Sequence, residues 1–313
     1  MKAIIPEDDF IRLFQELGPA GIAKRIGQTI RSVYARREAI EKRLGIQLTT
    51  KHPLATRHNI SHPQRATLEV KNGIVLVGSD AHYWPGEPST AHRAFVKLCK
   101  DMKPAAVIMN GDVLDCATVS RHAPIGWEKR PALIEEIETA KERLYEIEKA
   151  SGRAKKIWPL GNHDARFETR LATVAPEYAK VHGVHLHTHY PLWEPCWSAW
   201  INDDVVVKHR FKGGIHAPHN NTMWAGKTMI TGHLHSAKVV PFTDYKDTRY
   251  GVDTGCLADI YADAFTDYLE DSPRNWRSGF CVLTFKDGKL LQPELVLVWD
   301  RGHVQFRGEI ISA

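Results

Sequence analysis

The sequence predicts an α/β domain preceded by a small helical one, and three observations carry that expectation. Five short apolar runs, at residues 74–77, 105–109, 156–160, 205–208 and 228–231, have the length and β-branched content of buried strands. Helical stretches at residues 89–102 and 131–150 separate the first three of them. The first 45 residues instead show the 3.6-residue helical period, cut at intervals by glycine.

Taken in order, residues 8–17 place Phe10, Ile11, Phe14 and Leu17 on one helical face, and Gly18-Pro19 ends that helix. A second helix over residues 20–26 stops at Gly27. Thr29 caps a third, which runs through Val33, Tyr34, Ile40 and Leu44 to Gly45. With Ala23, Gly27 and Val33 at their spacing, these three helices resemble a helix-turn-helix DNA-binding unit. Residues 46–65 are rich in Thr, His, Pro and Arg, lack any sustained period and read as a linker. The third segment, residues 66–313, opens with an expected hairpin: Leu68-Glu69-Val70, the turn Lys71-Asn72-Gly73, then the apolar run. A second hairpin is expected over residues 280–299 around Asp287-Gly288.

With 313 residues and 43% hydrophobic composition, the chain has ample material for a core. Its formal charge of +5 is unevenly placed. Residues 1–66 hold twelve Lys and Arg against six acids, so the basic character sits at the N-terminus and points to a polyanion there, with Arg31, Arg36 and Arg37 on or beside the third helix as nucleic-acid contacts. Five cysteines, an odd number with no C-x-x-C pair, suggest neither a disulfide framework nor a zinc ribbon and fit a reducing cytosol. No apolar run approaches the length of a membrane span or of a signal peptide, so a cytoplasmic protein with no membrane partner is expected.

The chemistry is concentrated where the apolar runs end. Ser79-Asp80-Ala81-His82 follows the first, Asn110-Gly111-Asp112-Val113-Leu114-Asp115 the second and Gly161-Asn162-His163-Asp164 the third; Lys208-His209 closes the fourth, and Gly232-His233-Leu234-His235 follows the fifth. Asp-x-His at a strand end sets carboxylate and imidazole on one face, because side chains alternate with period two. Asp112 can extend its two oxygens toward two cations, and Asn162 adds a neutral amide oxygen. His209 is preferred over His216 and His219 because it directly ends an apolar strand.

In this order and with these local motifs, the set Asp, His, Asp, Asn, His, His, His closely resembles the calcineurin-like metallophosphoesterase superfamily, over residues 74 to about 255. The resemblance implies a four-layer α/β/β/α sandwich with two mixed sheets. It implies two divalent or trivalent ions, with Asp80, His82 and His235 on the first, Asn162, His209 and His233 on the second, and Asp112 bridging. Oxygen and imidazole ligands suit Mn, Fe, Zn and Ni alike. It further implies attack on phosphorus by a hydroxide shared between the ions, with His163 serving the leaving group and Asp115 pairing with it.

Family members that dephosphorylate proteins follow the second aspartate with Arg-Gly, whereas here Cys116-Ala117 stands there. A protein phosphatase is therefore disfavoured, and Arg121 or His122 from the next turn is the expected phosphate contact. The basic N-terminus makes DNA, RNA or nucleotide phosphodiesters the leading substrates. A phosphomonoesterase acting on a small molecule is one alternative, and a DNA-binding module using the fold as a scaffold is another. The joining of helix-turn-helix and phosphoesterase is also reminiscent of phage- or prophage-encoded proteins. His185, His187 and His189 alternate onto one face of an extended segment and read as a surface insertion, with a separate metal patch as the alternative. Trp193, Trp197 and Trp200 read as lid or core, with base stacking as the alternative.

Overall fold

The computed structural model describes residues 5–46, 48, 63–121, 130–262, 265 and 275–313. It divides into two compact units, one built from the N-terminal helices and the other from the two sheets and their covering helices.

In the N-terminal unit, α1 (Glu7–Ile26) breaks at Gly18, whose φ of 68° and ψ of 175° lie outside the helical region, so two helical segments meet at Gly18-Pro19. Gly27 ends α1 in the left-handed conformation. Thr29 then caps α2 (Ile30–Leu44) by accepting the Ser32 N–H, and Gly45 closes it, again left-handed. Phe10, Phe14, Ile22, Val33 and Ile40 form the core. Leu48 joins that core and its N–H donates to Glu41 Oε1, so the start of the expected linker packs with the helices.

The larger unit holds β1 (Ala66–Leu68), β2 (Gly73–Gly78), β3 (Ala106–Met109), β4 (Lys155–Pro159), β5 (Glu194–Cys196), β6 (Ala199–Ile201), β7 (Val205–Val207), β8 (Thr228–Thr231), β9 (Lys238–Thr243), β10 (Thr248–Asp253), β11 (Gly279–Lys286), β12 (Lys289–Leu290), β13 (Glu294–Asp300), β14 (His303–Phe306) and β15 (Glu309–Ser312). One sheet runs β15-β14-β13-β11-β2-β3-β4-β5, with β12 paired to β11; the other runs β1-β6-β7-β8-β10-β9. The helices are α3 (Thr90–Met102), α4 (Leu133–Ser151), α5 (Asp164–Val174), α6 (Leu186–His189) and α7 (Ala217–Ala225).

Strand alternation explains the layering. Val75 and Val77 of β2, Ala106 and Ile108 of β3, Ile157 of β4 and Cys281 and Leu283 of β11 meet Val205, Val207, Ile230 and Val252 between the two sheets. The intervening residues, Leu76, Val107, Met109, Trp158, Phe280 and Val282, face the other way and pack with Ala94, Phe95 and Leu98 of α3 and Ile137, Leu144 and Ile147 of α4. Helix α7 packs on β8, β9 and β10. The result is helix, sheet, sheet, helix, a mixed α/β sandwich with β2, β3 and β4 parallel in its centre.

Two local expectations are corrected. Residues 68–77 do not form a hairpin: β1 pairs in parallel with β6 in one sheet, while β2 lies between β3 and β11 in the other. The reason is Asn202, whose side chain accepts the Val70 N–H at 2.7 Å and donates to Val70 O, giving that segment partners from another loop. His185, His187 and His189 do not alternate along an extended segment, because residues 186–189 form the short helix α6. Residues 280–299 do form the expected turn, with Asp287 and Gly288 both at positive φ. Among the described residues, no helix is long and apolar enough to cross a membrane.

Candidate metal centre

Strands β2, β3 and β4, adjacent and parallel in one sheet, and β7 and β8, adjacent and parallel in the other, carry the five motifs on the segments leaving their C-terminal ends. Asp80, His82 and His235 bring one ligand atom each to within 4.8 Å of one another, and Asp112, His209 and His233 do the same. A third trio, His82, Asp115 and His163, shares His82 with the first.

The backbone is bent to achieve this. Asp80, His82, Asp112, His233 and His235 all have positive φ, between 42° and 71°. Left-handed non-glycine residues persist only where the surroundings fix them, and they gather at functional sites. Three glycines leave the room needed. A Cβ on Gly161 would lie 2.0 Å from Asp112 Oδ1, one on Gly232 would lie 2.4 Å from Asp80 Oδ2, and one on Gly111 would strike the His209 ring at 2.5 Å.

Each central carboxylate has one oxygen tied down and one left facing imidazoles. Asp80 Oδ2 accepts the Ser79 hydroxyl at 2.6 Å and the His233 N–H at 2.9 Å, while Oδ1 lies 3.0 Å from His235 Nε2. Asp112 Oδ1 accepts the His163 N–H at 2.8 Å, and Oδ2 faces His209 Nε2 at 3.0 Å. Asp112 Oδ1 thus already accepts one backbone donor, and a carboxylate oxygen with one such bond keeps a second lone pair. Burial works against charge at both groups, yet His235 and His209 hold the Asp80 carboxyl low, and His209 with His163 does so at Asp112. Burial likewise opposes charge on His209, but Asp112 and Asp80 outweigh it and raise its pKa. At His233 burial prevails, aided by His209, and its pKa falls.

The buried polar atoms left without a hydrogen bond test whether cations fit. They include His82 Nε2, Asn162 Oδ1, His209 Nε2 and His235 Nδ1. A buried polar atom without a hydrogen bond is costly. Three of them belong to histidines gathered around the Asp80 and Asp112 carboxylates, and with Asn162 from the motif after β4 they make a donor set that fits metal cations. His209 is further oriented by its Nδ1, 2.7 Å from Asn110 O, the kind of outer contact that aims a ligating imidazole.

Beside this group, His163 Nδ1 sits 2.5 Å from Asp115 Oδ1, and Asp115 Oδ1 also lies 3.3 Å from His82 Nδ1. Burial lowers the tendency of His163 to carry charge, but Asp115 and Asp112 overcome it and raise its pKa. Asp115 is held well below the ordinary carboxylate range by hydrogen bonds from His163 and His82, against its own burial.

Two residues were not assigned a role from sequence. Asp164 is buried beneath the site, and its carboxylate accepts five donors: the N–H groups of Asp112, Val113, Leu114 and Gly161, and Trp158 Nε1, at 2.8–3.1 Å. Its place in Gly-Asn-His-Asp was a usable signal. Arg166 donates to Asp115 O at 3.1 Å and brings Nη2 to 3.0 Å from His163 Nε2. Its only signal was a cation one helical turn past His163.

Other sequence expectations fall elsewhere. Arg121 is exposed, and His122 lies outside the described residues. His216 and His219 flank the start of α7 and are not in the cluster that holds His209. His185 and His187 stack at 5.6 Å, and with His189 they form no metal-competent trio among the described residues. Trp193 is buried and donates to Glu148, Trp200 packs under Arg65 at 4.3 Å, and Trp197 is partly exposed. Arg36 donates to Ile5 O and covers the Phe10 ring; Arg37 pairs with Glu41 and covers Phe14. These two cations are thus engaged inside the helical unit, while Arg31 is exposed. All five cysteines are free and buried.

No family model matches the chain, and no curated protein matches it. Solved structures similar to it include Vps29 from Entamoeba histolytica. The wild-type protein complexed with zinc has a TM-score of 0.41 and 16% identity over 76% of this chain and 98% of that one. A single mutant of the same protein has a TM-score of 0.38 and 14% identity over 77% and 97%. Vps29 from Chaetomium thermophilum has a TM-score of 0.40 and 11% identity over 77% and 96%.

Proposed function

We propose that the chain is a metal-dependent phosphoesterase that hydrolyses phosphodiesters of nucleic acid or nucleotides at a dinuclear site. The observation that carries this reading is the convergence of Asp80, His82, Asp112, His209, His233 and His235 in two trios, with a buried ring nitrogen of His82, of His209 and of His235 left without a hydrogen bond. Asp80, His82 and His235 would hold one cation and Asn162, His209 and His233 the other, with Asp112 available to both. Bound there, the two cations supply charge neutralisation of the phosphoryl oxygens and a water acidic enough to act as nucleophile near neutral pH.

The chain's own residues do the rest. Asp115 fixes His163 through Nδ1 and favours its protonated form, while Nε2 accepts from Arg166 Nη2 at 3.0 Å, so Nε2 would carry a proton for the departing oxygen only once Arg166 turns from it to the phosphate. Arg166, against that same Nε2, sets a guanidinium beside the reacting group, a place the sequence leaves empty by having Cys116 after Asp115. Asp164 and the three motif glycines keep the Asp112 and Asp80 carboxylates in register. For the helical unit, exposed Lys24, Arg25 and Arg31 support a weak, salt-sensitive attachment to nucleic acid.

The test is hydrolysis of bis- and mono-p-nitrophenyl phosphate by metal-free protein resupplied with Mn, Zn, Fe, Ni or Mg, alongside DNA and RNA. Metal-restored turnover with the diester preferred is expected. Absence of turnover with every metal, together with tight DNA binding, would favour the scaffold reading instead.

A further inference from the structure

The loop after β2, the segment after β10, residues 276–278 and the β13–β14 turn line a cavity of about 890 Å³, most of which lies beyond the residues described above. Its inner end is the metal centre itself, because His82 lines it. There Trp276 packs edge-on against His235 at 4.5 Å, and Phe265 against His82 at 5.3 Å. Outward from this end the walls carry Trp84, Tyr261 and Trp299, with Arg277 and Arg301 beside them. Trp299 is 63% exposed and Tyr261 78%. Large aromatic faces turned to solvent around a concavity contribute little to the core and are characteristic of a binding surface.

We infer that this cleft is a nucleoside subsite, holding the base and sugar of a phosphoester whose phosphorus sits at the metal centre; the inference rests on the hydrolytic reading above. Flat indole and phenol faces stack on any nucleobase, and arginine adds planar cation–π and phosphate contacts. Glu87, Asp259 and Asp300 line the same cavity with four arginines, Arg93 and Arg143 as well as Arg277 and Arg301, so the formal charge of these lining residues is only slightly positive and stacking is expected to carry most of the affinity. A phosphoserine or phosphothreonine side chain has no π-face to place against these walls. The chemistry recognised is a nucleobase joined through ribose to phosphate, whether free nucleotide or strand end.

Calorimetric titration of the metal-free full chain tests this without turnover. Adenosine 5′-monophosphate should bind at least about tenfold more tightly than ribose 5-phosphate, and Trp299→Ala should remove most of that difference while Trp299→Phe keeps it. The position is exposed, so folding is not at stake, and ribose 5-phosphate affinity should stay unchanged in both variants. A diadenylate that binds more tightly than the mononucleotide identifies a strand as the source, and equal binding identifies the free nucleotide. Equal affinity for adenosine 5′-monophosphate and ribose 5-phosphate, or no effect of Trp299→Ala, would overturn the subsite. Failure of diester hydrolysis with all metals would instead remove the catalytic reading and leave the nucleotide titration standing.

Discussion

Asp164→Asn should unfold the protein's catalytic floor with almost no change in volume. Oδ1 of Asp164 accepts the N–H groups of Val113 and Leu114, and Oδ2 accepts those of Asp112 and Gly161 and the Trp158 indole. An amide must turn its NH2 toward one of these sets, leaving two or three buried donors facing another donor. An unsatisfied buried group costs about 1–3 kcal/mol, so the loss should be on the order of 3–6 kcal/mol. That is a large fraction of the roughly 5–15 kcal/mol by which a folded domain is stable. Urea denaturation of metal-free protein, followed by circular dichroism, reads the shift in midpoint. The same variant should bind metal more weakly, because the Asp112 backbone loses its anchor. A midpoint within about 1 kcal/mol of wild type would refute the claim that Asp164 organises the loop after β3.

Three further outcomes are expected. His163→Ala should keep the full metal complement, measured by elemental analysis, while slowing diester turnover by about 10²–10⁴-fold, the range for a lost general acid; loss of metal would contradict its assignment to the leaving group. Gly161→Ala, whose Cβ would fall 2.0 Å from Asp112 Oδ1, should reduce metal stoichiometry without abolishing the sheet signal in circular dichroism; unchanged metal content would show that the loop yields freely. Glu136 is buried, and burial with neighbouring Asp115 raises its pKa from 4.5 to about 7, despite the N–H groups of Cys116 and Ala117 that it accepts. A raised folded-state pKa contributes stability that is fully present below pH 4.5 and is lost as pH rises through 7. The stability of wild type relative to Glu136→Gln should therefore fall as pH rises across that window, and a difference constant with pH would contradict it.

Much of this arrangement was legible because residue type and position agreed. Thr29, Gly18, Gly27 and Gly45 mark the helix limits by capping and by left-handed backbone, both purely local effects. The convergence of Asp80, His82, Asp112, His209, His233 and His235 was legible because each follows an apolar strand, and parallel strands present their C-terminal ends together. His209 stood apart from His216 and His219 for the same reason. The expected hairpin at residues 68–77 failed because turn chemistry at Asn72-Gly73 is local, whereas the Asn202 side chain that captures Val70 lies 132 residues away. Asp164 stood within the Gly-Asn-His-Asp motif, but its role depends on five donors from residues 112–114 and 158–161, which only the fold brings to one carboxylate. Arg36 and Arg37 looked like free cations because sequence does not reveal that Phe10 and Phe14 lie beneath them. Sequence likewise names the aromatic residues of the cavity, but only the fold gathers Trp84, Tyr261, Trp276 and Trp299 around one space.

The central claim is two cations held by two distinct trios around Asp112. Anomalous scattering from crystals grown with Mn and measured at its absorption edge addresses it most directly. The prediction is two peaks about 3.5–4 Å apart, one among Asp80, His82 and His235, the other among Asn162, His209 and His233, with Asp112 touching both. A single peak, or peaks remote from Asp112, would contradict the dinuclear account.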